Sequence, residues 1–218
     1  MFVRHAYIAA MNARYESLHY DQDSSRANGR SRSAVASEAI ISPPFGSAQH
    51  DVISTPLGEA DLIFDDRERL LGLDWVEFAP RTARLLHLQH RINRQMIKSR
   101  PAPTQLRSAI ERYFAGDLLA VSSLPLQLGG TPFQRQVWSA LQMIPAGATE
   151  SYSELSRRIR KPNASRAVGR ANGANLIGIV VPCHRVIGAD RSLTGYGGGL
   201  DRKCWLLEHE RLHSDQKR

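Results

Sequence analysis

The chain has 218 residues, 42% of them hydrophobic, and a formal net charge of +8. That is enough for one compact domain or two small ones, and no run approaches the ~20 consecutive apolar residues of a membrane-spanning helix. The cysteines are Cys183 and Cys204, too few for a secreted disulfide framework or a cysteine-rich zinc site, so a reduced, cytoplasmic setting is expected, with no metal.

Met1 to Arg14 carry Arg4, His5, Asn12 and Arg14 without a long apolar run, so no secretory leader is expected. Residues 1–47 are polar, with Asp21 to Ser25 and Asn28 to Ser33 lacking apolar periodicity, and read as a disordered extension. From His50 the pattern changes. Asp51 to Thr55 reads as a strand, Pro56-Leu57-Gly58 as a turn, and Ala60 to Phe64 as a return. Asp65-Asp66 turns again into Leu70 to Phe78, completing a small antiparallel meander. Helices are expected over Thr82 to Arg94 and over Thr104 to Ala115. In the second, Leu106, Ile110 and Phe114 recur at helical spacing before Gly116. Residues 48–128 thus read as a small α+β domain without a catalytic constellation, and Leu124 to Gly130 as a connector.

Residues 129–218 carry sharper signals. Thr131-Pro132-Phe133-Gln134 has the form of a capping box with proline at the first helical position. Phe133, Val137, Leu141 and Ile144 follow at helical spacing. Ser151-Tyr152-Ser153-Glu154 is a second capping box, opening a short helix to about Ile159. After the turn Lys161-Pro162-Asn163 comes a third helix, Ala164 to Gly173. Two short helices and a brief turn are the layout of a helix-turn-helix. Ala164, Ala167, Gly169, Ala171 and Gly173 make a low-relief surface. It suits close approach to a nucleic-acid groove, and it suits tight helix packing equally. Arg166 and Arg170 project from it and can meet phosphates. From Pro145 onward 13 Lys and Arg stand against 7 Asp and Glu. That surplus fits a polyanion, and also a merely solvated surface.

Asn175 to Val181 is apolar, β-branched and expected to be buried. It runs into Pro182-Cys183-His184-Arg185-Val186, a thiol beside an imidazole, the parts of an activated nucleophile. Adjacent side chains on an extended chain point apart, so a bend or a bridging water is needed for His184 to serve Cys183. Thr194 to Gly199 is glycine-rich, permitting tight turns or close approach to a ligand. In the last helix, Trp205, Leu206 and Leu207 are core candidates, and Glu210 is a carboxylate able to orient an imidazole.

These residues resemble the O6-alkylguanine-DNA alkyltransferases, the methylated-DNA–protein-cysteine methyltransferase family. The most specific match is Pro182-Cys183-His184-Arg185-Val186. Gly130 to Gln134, Ser165 to Gly169, Gly195-Tyr196 and Trp205 to Glu210 follow in order and spacing, and Thr55 to Gly58 and Tyr113 to Gly116 extend the likeness. The resemblance implies an α/β (α+β) architecture: a ribonuclease-H-like N-terminal domain, then a mostly helical domain holding the helix-turn-helix. It implies that Cys183 accepts the alkyl group, with His184 its base through a water and Glu210 holding the imidazole. Tyr152 would assist the departing base, and Asn175 would form the hinge. Arg166 would fill the gap left by a flipped nucleotide. Ser153, Ala164, Ser165, Ala167, Gly169, Arg170 and Gly173 would contact DNA, and Val186, Tyr196 and Gly197 would line the base pocket.

The implied partner is double-stranded DNA containing O6-alkylguanine, with O4-alkylthymine a further substrate, no cofactor, and a monomeric protein. Gly178 and Gly197 stand where better-known members carry a proline and a serine, which predicts a wider pocket that accepts bulkier alkyl groups. The rival readings are a lesion sensor, a helix-turn-helix regulator and a cysteine hydrolase. A sensor of this kind lacks the acceptor cysteine, and a regulator leaves the Pro-Cys-His-Arg motif without a purpose. A hydrolase would turn over repeatedly, whereas a thioether product permits one event per molecule.

Overall fold

A computed structural model describes residues 47–214. The expected extension lies outside the described residues apart from Ser47. Three strands form the expected meander: β1 (Ala48–Thr55), β2 (Gly58–Asp65) and β3 (Leu70–Trp75). They pair antiparallel, and a short β4 (Lys98–Ser99), not foreseen, adds parallel to β1, giving the order β3-β2-β1-β4. The third strand stops at Trp75 rather than Phe78, where the chain winds into a 3₁₀ turn over Val76–Phe78. Helix α1 (Ala79–His90) begins three residues before the expected Thr82, because Pro80 is well placed in a first turn. It ends before Arg94 because Arg91 adopts the left-handed conformation (φ 58°) and its N–H closes back on the helix.

Helix α2 (Thr104–Phe114) buries Leu106, Ala109, Ile110 and Tyr113. Both capping boxes form as read. Thr131 opens α3 (Pro132–Gln142), and Ser151 opens α4 (Tyr152–Arg158), with side chain and backbone satisfied reciprocally in each. Ser151 also belongs to β5 (Glu150–Ser151), which pairs parallel with β6 (Val186–Ile187). Helix α5 (Ser165–Gly173) follows α4 after a turn in which the Ala164 N–H donates to Lys161 O (2.9 Å) and to Ser156 Oγ (3.2 Å). Helix α6 (Leu200–Ser214) closes the described chain.

One apolar core takes residues from both sides of the expected boundary after residue 128, including Phe64 and Leu73 from the sheet, Val137 and Trp138 from α3, and Leu206 from α6. The sheet reaches the motif-bearing half directly. Leu73 N–H donates to Leu176 O (2.9 Å), and Gly178 N–H donates to Leu73 O (2.8 Å). A strand edge that would otherwise carry unpaired groups is thereby satisfied by the segment leading into Cys183.

Candidate active site

Asn175 to Val181 is buried as expected, with only Gly178 half-exposed. It is no strand but a tight turn, closed by Val180 N–H to Gly178 O (2.7 Å) and Val181 N–H to Ile177 O (3.0 Å). Ile179 is held at φ 67° in that turn, a conformation rare for a β-branched residue and maintained only where surrounding contacts over-determine it. The chain then bends through a 3₁₀ turn over Cys183–Arg185. The turn ends the strict alternation of side chains that an extended chain would impose.

Cys183 is 6% exposed. Burial pushes its thiol pKa up, against the lowering effects of Asn175, Arg81 and Lys203. The Asn175 amide donates to Cys183 Sγ (3.0 Å) and to Val181 O (2.8 Å), while its Oδ1 accepts from the Ile177 N–H (3.0 Å). Asn175 therefore ties the end of α5 to the sulfur through one side chain. The thiol is protonated at neutral pH and needs a base.

His184 supplies it. The ring is fully buried, and burial lowers its pKa despite the opposing effect of Glu210, so it is neutral at physiological pH. Its Nε2 lies 2.9 Å from Glu210 Oε1. Burial alone would raise the Glu210 pKa, but His184 and Arg185 hold its carboxyl well below the usual carboxylate range. Arg185 donates Nε to Oε2 (2.9 Å) and Nη2 to Oε1 (2.8 Å), Tyr113 OH donates to Oε1 (2.8 Å), and Gly147 N–H donates to Oε2 (3.2 Å). An ionised carboxylate only accepts, so Nε2 carries the hydrogen and the lone pair is on Nδ1. Nδ1 is buried and has no protein partner. Arg185 directs its guanidinium to Glu210 and to Ile144 O (2.5 Å).

Tyr152 starts α4 and donates its hydroxyl to Gly195 O (3.3 Å), which fixes the ring beside the glycine loop. Burial, then the nearby Cys183, raises its pKa. Arg166, Arg170 and Gly173 are exposed on α5, while Ser153, Ala164, Ser165, Ala167 and Gly169 are half-exposed. A Cβ on Gly169 would sit 3.8 Å from the Tyr152 ring, so the small-residue face of α5 borders the site. Tyr196 and Gly197 line the cavity at Cys183. Val186 does not line it: the residue is buried and its carbonyl accepts from Lys203 Nζ (2.5 Å).

The sequence reading missed several residues. Leu73, Asp74 and Arg81 line the cavity with Cys183, so the N-terminal half does contribute to the site, contrary to expectation. Lys203 is fully buried, donates also to Thr194 O (2.6 Å), and has its pKa pushed down to about 8. An arginine in a surface-like helix and a lysine that follows Asp201 and Arg202 carry no local signal of a place in the site. Nor do the two glycines open the cavity as expected. A Cβ on Gly178 would lie 3.0 Å from Leu73 O, and one on Gly197 would lie 2.7 Å from Arg81 Nη2. Strand β3 and Arg81 fill those spaces. Among the described residues, no group of three or more His, Cys, Asp or Glu is placed to hold a metal ion.

Residues 132–212 match the family model described as the 6-O-methylguanine DNA methyltransferase DNA-binding domain. A methylated-DNA–protein-cysteine methyltransferase of Shigella flexneri is 46% identical over 158 residues, covering 72% of this chain and 92% of that protein. The protein of the same name from Mycolicibacterium paratuberculosis is 57% identical over 115 residues, 51% of this chain and 69% of its own. The crystal structure of Mycobacterium tuberculosis OGT in complex with DNA superposes with a TM-score of 0.65 at 40% identity, covering 76% of this chain and 94% of that one.

Proposed function

The chain belongs to the methylated-DNA–protein-cysteine methyltransferase family, and from that premise we propose that it repairs alkylated DNA by moving the alkyl group from guanine O6 to its own Cys183. The observation that supports this most directly is the buried His184–Glu210 pair adjoining a buried Cys183, set beside a half-exposed, low-relief helix.

Guanine O6 is enclosed in the base stack, so the nucleotide must leave it. The small residues of α5 allow close approach to the duplex, Arg166 fills the gap, and Arg170 meets the backbone. His184 Nδ1 takes the thiol proton through a water, and Glu210 stabilises the imidazolium. Sγ then attacks the alkyl carbon. The S–C bond forms, the C–O6 bond breaks, and the bonding pair leaves with guanine. Tyr152 gives the departing base a proton, and the proton held on His184 restores the balance. The thioether has no easy leaving route, so each molecule acts once. Residues 48–128 supply Leu73, Asp74 and Arg81 to the cavity wall, and residues 129–218 carry the acceptor cysteine and the DNA-facing helix. O4-alkylthymine fits the same chemistry. We place the protein in the cytoplasm as a monomer without a cofactor; among the described residues no helix is long and apolar enough to cross a membrane.

Intact-mass spectrometry after mixing with a duplex holding one O6-methylguanine tests the reading. One added methyl is expected, stopping at one equivalent and absent in Cys183→Ser. Binding of the duplex with no mass change would make the protein a lesion sensor instead.

A further inference from the structure

Arg81 lies outside the matched residues 132–212, on helix α1, yet its guanidinium is built into the acceptor cavity. Nη1 donates to Asp74 Oδ2 (2.5 Å), and Nη2 donates both to Gly173 O (2.9 Å) and to Asn175 O (3.0 Å). Those carbonyls flank the end of α5. Between them, Ala174 O accepts from Gln89 Nε2 (2.7 Å), also on α1. Asn175 is the residue whose side chain reaches Cys183 Sγ. On its other side, Arg81 occupies the space that Gly197 leaves.

We propose that Arg81 is a positioning residue for alkyl transfer: it fixes the end of the DNA-facing helix, the Asn175 link to the sulfur, and the Gly197 wall of the cavity in one arrangement. This rests on the alkyltransferase reading above. The same guanidinium favours the Cys183 thiolate. The other charged or titratable groups facing that sulfur are Asp74 on β3, Tyr152 on α4, Tyr196 in the glycine loop, Lys203 on α6 and the adjoining His184. Gly197 thus conserves room for an arginine from the far half of the chain rather than room for substrate.

The test is single-turnover transfer from an O6-methylguanine duplex, followed by mass across duplex concentration and pH, for wild type, Arg81→Ala, Arg81→Lys, Gly197→Ala and the double variant Arg81→Ala/Gly197→Ala. Loss of a charge-assisted three-way contact predicts a maximal rate about ten- to a hundredfold lower in Arg81→Ala. Affinity for undamaged duplex should change by less than about threefold, because the outward face of α5 keeps its side chains. The pH midpoint of the rate rises in Arg81→Ala and returns in Arg81→Lys, while the maximal rate does not return, since an ammonium cannot reproduce the planar fork. Gly197→Ala pushes the guanidinium aside and slows transfer. The double variant should then be no slower than Arg81→Ala, because the substitutions disrupt the same contact. A wild-type maximal rate in Arg81→Ala, additive losses in the double variant, or losses matching only the unfolded fraction would overturn the proposal. Absence of transfer in wild type would instead sink the alkyltransferase reading.

Discussion

Two carboxylates near the acceptor segment each pair with an arginine, and burial and donors shift them in opposite directions. Glu210 is fully buried beneath His184, and so many donors converge on it that burial is overcome and the group is a fixed anion. Asp74, at the cavity, accepts from Arg81, Thr82 Oγ1 (2.9 Å) and the adjoining Trp75 N–H (3.0 Å), and burial still pushes its pKa up. An over-donated carboxylate can set a tautomer and hold it. Asp74, with fewer donors, shares its arginine with the Gly173 and Asn175 carbonyls.

Four measurements would break or sharpen that contrast. The largest effect is expected for Glu210→Gln, which leaves Arg185 buried without a counter-charge. It should lose about 3–5 kcal/mol of folding stability in denaturant unfolding, and transfer should fall to background. Asp74→Asn should be milder, about 1–3 kcal/mol, because burial already works against its charged form; a loss matching Glu210→Gln would erase the distinction. The pH dependence of stability should carry opposite signs at the two groups. Glu210 has a folded pKa below its unfolded value, so its contribution is present above the unfolded pKa and lost as pH falls through the folded one. Asp74 has a raised folded pKa, so the penalty for keeping it ionised disappears as pH falls through that value. Unfolding curves across acid pH for wild type and each amide variant would separate the two slopes. The smallest effect belongs to Gly178→Ala. Its Cβ would meet Leu73 O at 3.0 Å while the N–H bond survives, and about 1 kcal/mol is expected by the same unfolding assay.

The capping boxes were legible because each is a four-residue pattern, whereas the pairing of His184 with Glu210, 26 positions on, was expected only from the resemblance carried by Pro182 to Val186. The meander was legible from alternation, although β4, only two residues long, gave no pattern to find. Arg81, Asp74 and Lys203 were not legible, since each does its work across the fold. Arg81 sits among ordinary helix residues, and only packing brings it to carbonyls far along the chain. The expected pocket widening failed for the same reason: an absent side chain was read as empty space, whereas β3 and Arg81 had filled it.

The grip of α1 on α5 also sets a polarity. A helix carries partial positive charge at its first N–H groups and partial negative charge at its last carbonyls. Arg81 and Gln89 on α1 satisfy the carbonyls around the end of α5, and the guanidinium neutralises the negative pole. At the other end no side chain caps the helix and its first turn holds no acid, while Arg166 is exposed there. Helix α5 therefore acts as a one-ended source of positive potential, its negative pole earthed by a residue 92 positions away from Gly173.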